Sequence, residues 1–219
     1  MARVTEARDP GAISLWPSPN EVLFVKNVTH QPTLGAGHWG PGWFEYIESY
    51  RDVARALVEI SVADDHERMS MPHLAGIPVL FLYRHYLELV MKELLLDGAR
   101  VMDQPVTSAE LAERFGHDLR RLWEACKETV DVIWPGSSDW RANELAVLTE
   151  QIGELAAVDP GSFSARYPVG RDGTKSLPAE TFMSYDVAVF ADGVERIGDI
   201  ITGMTVGIYE TFVNAADGP

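Results

Sequence analysis

Apolar residues recur at spacings of three and four along most of the chain after residue 43, which is the pattern of helices with one buried face. The pattern predicts a first helix at Phe44–Val62 and a second helix from about His73 to Leu96, with Asp97-Gly98 as a suitable helix end. Between Leu74 and Tyr83 the second helix is apolar on all sides. We therefore expect the second helix to be the central and most buried element of the fold.

Capping residues and helix breakers divide the middle of the chain into three further helices. Thr107 and Glu110 have the spacing of a capping box, so a short third helix should begin there and end at Gly116. Asp118 is a favourable N-cap for a fourth helix, and a fifth helix is predicted at about Ser138–Val158.

The last predicted helix, from about Ala179 to Phe212, has the longest regular apolar pattern in the chain. It also contains interior glycines, each of which costs a helix about 1 kcal/mol relative to alanine. The usual compensation is the close approach of another backbone, so we expect this helix to pack tightly within the chain or against a second subunit. The glycines are Gly193, Gly198, Gly203 and Gly207.

Two segments lack helical periodicity. Residues 1–42 include a stretch rich in proline, glycine and tryptophan, and we expect them to wrap the bundle irregularly. Residues 159–178 form a long connection, in which a small hairpin is predicted near 163–175. The sequence thus predicts an all-α fold, a bundle of five or six helices in one domain at 43–214, followed by a tail at 215–219.

The composition is that of an ordinary globular protein, with 46% hydrophobic and 23% charged residues in a chain of 219. No apolar run approaches the roughly 20 residues of a membrane span, and the N-terminus lacks the apolar block of a secretory signal. The single cysteine, Cys126, excludes an internal disulfide. These features predict a cytoplasmic protein without a membrane segment.

The formal net charge of −15 argues against broad binding of DNA or other phosphate backbones. A local basic patch is compatible with this charge, and the long loop offers one in Arg166, Arg171 and Lys175. The patch is a candidate contact for RNA or an acidic partner, and a plain surface loop is the alternative.

The sequence predicts no metal and no cofactor. Several ligand-type residues between Asp64 and His73 lie close together, but they lack the spacing of zinc or di-iron sites, so a solvated loop is predicted. A glycine-rich phosphate loop and a nucleophile elbow are both absent from the sequence.

Arg84, Glu88 and Lys92 follow one another at four-residue steps on the second helix, flanked by His85. Charged side chains on a buried helix need partners. One hypothesis is a cleft or dimer seam in which Arg84 grips a phosphate while His85 or His117 transfers a proton. The other is structural, with Glu88 paired to Lys92 and Arg84 holding a neighbouring loop.

His117 directly precedes the predicted cap Asp118. It is either a structural residue that hydrogen-bonds a carbonyl at the helix entry, or a general acid or base oriented by Asp118. The sequence leaves both interpretations open.

Two blocks, YRHYLELVMKELL at 83–95 and GHDLRRLW at 116–123, resemble HEPN-domain proteins. The shared pattern is an arginine-bearing helix with a glutamate and a lysine, a short insertion, and His-Asp-Leu opening the next helix. The resemblance implies a dimerising α-helical bundle, and active members of that group are metal-independent ribonucleases. Their hallmark is an arginine followed closely by a histidine on a late helix, whereas this chain has no histidine after His117.

The leading hypothesis is a HEPN-like protein of a bacterial defence or toxin–antitoxin type system that cleaves RNA without a metal. The alternative is a non-catalytic dimerising or binding subunit that engages a protein partner. A homodimer is expected in both cases. The residues assigned to catalysis are Arg84, His85, Glu88 and His117, and those assigned to substrate binding are Lys92, Asp118, Arg166 and Arg171.

Overall fold

The computed structural model describes residues 42–63, 75–137, 142–170, 173, 174, 176 and 185–216. Within these residues the regular structure is helical, without β-strands, which confirms the all-α prediction. The predicted wrap at 1–42 and the polar loop at 64–73 lie outside the described residues, apart from Gly42. The helices are α1 (Trp43–Val62), α2 (Gly76–Val101), α3 (Ser108–Phe115), α4 (Leu119–Ile133), α5 (Ala142–Val158) and α6 (Val187–Ala216).

Helix α2 is the centre of the bundle, as its apolar character predicted. Fifteen of its 26 residues are buried. It packs against α6, α1 and α4 and touches α3, while α5 packs against α4. Burial of this one helix on several sides supplies much of the hydrophobic driving force for the fold.

The predicted caps of α3 and α4 are confirmed. The Thr107 hydroxyl accepts from the Glu110 backbone N–H at 3.2 Å, and the Glu110 carboxylate accepts from the Thr107 backbone N–H at 2.7 Å. The Asp118 carboxylate accepts from the backbone N–H groups of Arg120 and Arg121, at 3.0 and 3.1 Å. These caps fix the entry of both helices.

The predicted end of α2 at Asp97-Gly98 is wrong, because the helix continues to Val101. Gly98 is buried against α4, where an added Cβ would lie 2.3 Å from a side-chain carbon of Thr129. The glycine therefore permits close packing of two helices rather than marking a helix end.

Helix α6 begins at Val187, later than the predicted start at Ala179. Residues 179–184 lie outside the described residues, and Tyr185 and Asp186 are not helical. The Asp186 carboxylate accepts from the backbone N–H groups of Ala188 and Val189, at 2.8 and 3.1 Å, which caps the helix there.

The described part of the long loop forms a tight turn within the range of the predicted hairpin. The Gly170 N–H donates to the Thr174 carbonyl at 2.7 Å, and the Ser176 N–H donates to the Pro168 carbonyl at 3.1 Å. Arg171 and Lys175, the other cations of the predicted basic patch, lie outside the described residues.

None of the described helices combines the length and the apolar character that crossing a membrane requires.

Candidate functional site

Four of the residues that the sequence singled out come together on one side of α2. Arg84, Glu88 and Lys92 are buried on successive turns of that helix, and His117 reaches them from the turn between α3 and α4. Asp159, which immediately follows α5, completes the group. These five residues are called the Arg84 cluster below.

Arg84 directs its guanidinium entirely toward other parts of the protein. Its side chain is 0% exposed. Nε donates to the backbone carbonyl of Asp159 at 2.9 Å, one Nη donates to Glu88 at 3.3 Å, and the other donates to the backbone carbonyl of His117. Burial lowers the pKa of Arg84, and the carboxylates of Asp159 and Glu88 oppose that effect. Arg84 thus ties α2 to two segments that are distant in sequence.

Glu88 is the hub of the cluster. One of its oxygens accepts from the Lys92 ammonium at 2.7 Å, and both lie near His117 Nδ1, at 2.9 and 3.1 Å. Burial acts to raise the pKa of Glu88. The hydrogen bond and charge of Lys92, together with His117, outweigh burial and hold the pKa below its usual value.

Asp159 is fully buried and organises the start of the long loop. One carboxylate oxygen accepts from the backbone N–H groups of Phe163 and Ser164, at 2.7 and 2.8 Å. The other lies 3.7 Å from Arg84 Nε. Asp159 was not predicted as a site residue, because nothing in the local sequence links it to an arginine 75 positions earlier in the chain.

His117 is the member of the cluster that reaches solvent, with a side chain that is 50% exposed. Since Nδ1 faces the Glu88 carboxylate, Nε2 is the ring nitrogen turned away from it. Asp118, the expected orienting residue, instead caps α4. The carboxylate beside the imidazole is therefore that of Glu88.

His85 does not join the cluster through a hydrogen bond to any described residue. Its ring packs edge-on against Tyr50 of α1, with centroids 4.4 Å apart, and lies parallel to Phe81 at 6.1 Å. Burial lowers the pKa of His85, which favours a neutral ring near pH 7. The structure places this residue at the α1–α2 contact.

Arg166 lies on the exposed surface of the loop after α5, where its Nε donates to the backbone carbonyl of Ser162. Its charge contributes to lowering the pKa of Arg84, so the two guanidinium groups are electrostatic neighbours. Arg171, the other predicted loop contact, lies outside the described residues.

A second polar network, which sequence analysis missed, joins α1, α2 and α6. The Glu195 carboxylate accepts from Arg55 Nε at 2.8 and 2.9 Å and from the Tyr83 hydroxyl at 2.6 Å. Arg51 donates to Asp199 at 2.6 Å. Two arginines one turn apart on α1 thus face two acids one turn apart on α6. The four-residue spacing of the arginines in one helix and of the acids in the other was the sequence feature that could have indicated this pairing.

The chemical capacity of the Arg84 cluster rests on one exposed imidazole supported by a buried carboxylate. Such a pair can transfer a proton or fix a turn. Among the described residues there is no group of three or more His, Cys, Asp or Glu side chains arranged to hold a metal ion.

In comparisons with known proteins, the chain matches no family model, no curated protein and no solved structure.

Proposed function

We propose that this protein is a non-catalytic, dimerising subunit with a HEPN-like helical fold that engages a protein partner. The observation that carries the proposal is the burial of Arg84. A guanidinium that grips a phosphate must offer N–H groups to it. Those of Arg84 are directed at two backbone carbonyls and Glu88, and the side chain is 0% exposed.

The proposed role of the Arg84 cluster is structural. Removing one partner of a buried ion pair costs roughly 3–5 kcal/mol, because the remaining charge is left uncompensated. Arg84 bonds to the carbonyls of His117 and Asp159, so it holds the α3–α4 turn and the end of α5 against α2. These segments would form a rigid support for the surface around them.

A cleavage assay tests the proposal. Purified protein is incubated without metal with fluorescently labelled single-stranded RNA, beside Arg84→Met and His117→Gln variants. We expect no cleavage above the buffer blank for any of them. Arg84→Met should lower the free energy of unfolding by several kcal/mol, roughly the cost of unpairing a buried charge. Metal-independent cleavage that His117→Gln abolishes without changing the Tm would contradict the proposal.

The second candidate function is that of a metal-independent ribonuclease of a bacterial defence or toxin–antitoxin type system. It is favoured by the half-exposed ring of His117, whose Nδ1 lies 2.9 Å from the buried Glu88 carboxylate. A neutral ring that donates from Nδ1 has a basic Nε2 available to accept a proton. In the same assay this function requires His117→Gln to stop cleavage. His85→Gln is the matched control, and it should leave cleavage unchanged because His85 makes no hydrogen bond to the Arg84 cluster.

A further inference from the structure

A groove of about 320 Å³ lies beside the turn that carries His117. Its walls come from the last turn of α3 and the outer face of α4, and Phe115 and Ala125 supply apolar surface. It is called the α3–α4 groove below. Volumes of this size accommodate a few side chains of a bound peptide or a small ligand.

Two arginines cover the aromatic wall of this groove. The Cζ atoms of Arg114 and Arg121 lie 4.9 and 5.8 Å from the centroid of the Phe115 ring. Neither guanidinium is paired with a carboxylate among the described residues. Arg120 differs from them, since it donates to the Gly153 carbonyl at 2.6 Å and ties α4 to α5.

Two acidic residues of α4 also line the groove. Glu124 and Glu128 lie one turn apart along α4, and Glu124 is paired with Lys127 at 2.9 Å. The groove therefore combines two cations that have no carboxylate partner among the described residues, an apolar wall, and two carboxylates further along α4. A ligand that carries negative charge along its whole length fits this arrangement poorly.

We propose that the α3–α4 groove binds an acidic peptide segment of a partner protein. A carboxylate of the peptide lies between Arg114 and Arg121, and a neighbouring apolar side chain packs against Phe115 and Ala125. A peptide concentrates its charge at one or two positions. A nucleic-acid strand instead extends its phosphates toward Glu124 and Glu128 on a protein of net charge −15. The inference rests on the proposed binding function and names the chemistry of the partner.

The test begins with selection of a random short-peptide display library on the immobilised full-length chain. Enriched peptides should combine an acidic residue with a nearby large apolar residue. By fluorescence anisotropy, Arg114→Gln/Arg121→Gln should bind an enriched peptide roughly tenfold more weakly or worse, because charge-assisted hydrogen bonds are lost. Each single variant should show part of that loss. Arg196→Gln on α6 is the control for each single variant, since it also removes one positive charge, and it should bind the peptide as the parent does.

Several outcomes would overturn the groove assignment. They are a library without enrichment, enriched peptides without an acidic bias, equal affinity for the double variant, or displacement of the peptide by single-stranded oligouridine. If enriched peptides bind the parent and the Arg114→Gln/Arg121→Gln variant with equal affinity, the groove assignment is wrong but the proposed binding function is not contradicted. Metal-independent RNA cleavage that depends on His117 would instead remove the proposed function.

Discussion

Charged side chains buried in α2 are paired with other protein groups rather than with solvent. Arg84 and Lys92 both contact Glu88, one turn away from each. Such pairs rarely add much net stability, since desolvation offsets most of the attraction, but losing one partner is costly. The groups that pack against the polar face of α2 must therefore supply partners for its charged side chains. In this structure the packing groups are the α3–α4 turn and the segment after α5.

Glu93 lies on the same helix as Glu88, but its pKa is raised, whereas that of Glu88 is lowered. Burial, with the charges of Asp97 and Glu48, raises its pKa to about 7, although Arg100 acts in the opposite direction. A carboxyl whose folded pKa is raised stabilises the fold below its unfolded pKa, near 4.5, and that stability is lost as pH rises through about 7.

Glu93→Gln removes this ionisation. We expect the variant to gain free energy of unfolding relative to the parent as pH rises from about 4.5 to above 7. The gain should be on the order of 1–2 kcal/mol at most once partial solvent screening is allowed for. Urea unfolding at a series of pH values measures it. Parallel stability curves for the two proteins would show that burial of Glu93 has no such effect.

The glycines of α6 differ in what they contact. At Gly198 an added Cβ would lie 2.1 Å from the Tyr86 hydroxyl oxygen and 2.5 Å from its ring. At Gly207 the neighbour is Trp134, at 3.1 Å. Within the chain, the nearest groups at Gly198 and Gly207 are therefore aromatic side chains and not the other backbone that was predicted. Gly193 and Gly203 have no described atom within 4 Å of such a Cβ.

This difference predicts opposite effects of the same substitution. Gly198→Ala should destabilise the protein by roughly 1–3 kcal/mol, because Tyr86 is fully buried and cannot move away. Gly193→Ala should stabilise it by about 0.5–1 kcal/mol through helix propensity alone. Urea unfolding of both variants measures these changes in the free energy of unfolding. Shifts of the same sign would mean that α6 does not pack on Tyr86 in this way.

The sequence predicted elements well where local signals act alone. The apolar spacing of α1 and the caps at Thr107 and Asp118 depend on neighbouring residues only, and the structure confirms them. Gly98 was wrongly predicted to end α2, because its role depends on its contact with Thr129 in another helix. The late start of α6 depends on Asp186, whose capping signal was hidden within a segment already assigned to the helix.

The candidate site was predictable only in part, because some of its contacts come from residues that are distant in the sequence. Four-residue spacing placed Arg84, Glu88 and Lys92 on one face of α2, and the structure brings His117 to that face. The contacts that bury Arg84 come from carbonyls 33 and 75 positions away. Backbone carbonyls carry no residue signature, so the sequence could not choose between an arginine that binds a phosphate and one that binds the chain itself.

Helix α6 exposes apolar side chains in its second half. Ile200, Val206 and Tyr209 are exposed there, Val206 and Tyr209 lie one turn apart, and no charged residue occurs between Ile200 and Tyr209. Exposed apolar side chains that cluster on a surface commonly mark an association site. This segment of α6 supports the proposed homodimer, which would have to bury roughly 1,200 Å² or more in total to be stable.

Val206→Glu tests the proposed dimer by placing a charge within this uncharged segment of α6. We expect sedimentation velocity to give twice the chain mass of 24.3 kDa for the parent and the single-chain mass for the variant. Val132→Glu is the control, since Val132 is similarly exposed on α4. A parent that sediments as a single chain, or a Val206→Glu protein that remains dimeric, would exclude this interface.

The proposed function requires that Arg84 is bonded inward and is not available to a phosphate. This can be measured by ¹⁵N NMR of the arginine Nε–H groups, with the Arg84 signal assigned by its loss in Arg84→Lys. We expect the Arg84 Nε–H, which donates to the Asp159 carbonyl, to exchange slowly with solvent and its signal not to shift when inorganic phosphate is added. Exchange as fast as that of the exposed Arg196, together with a phosphate-dependent shift, would contradict it.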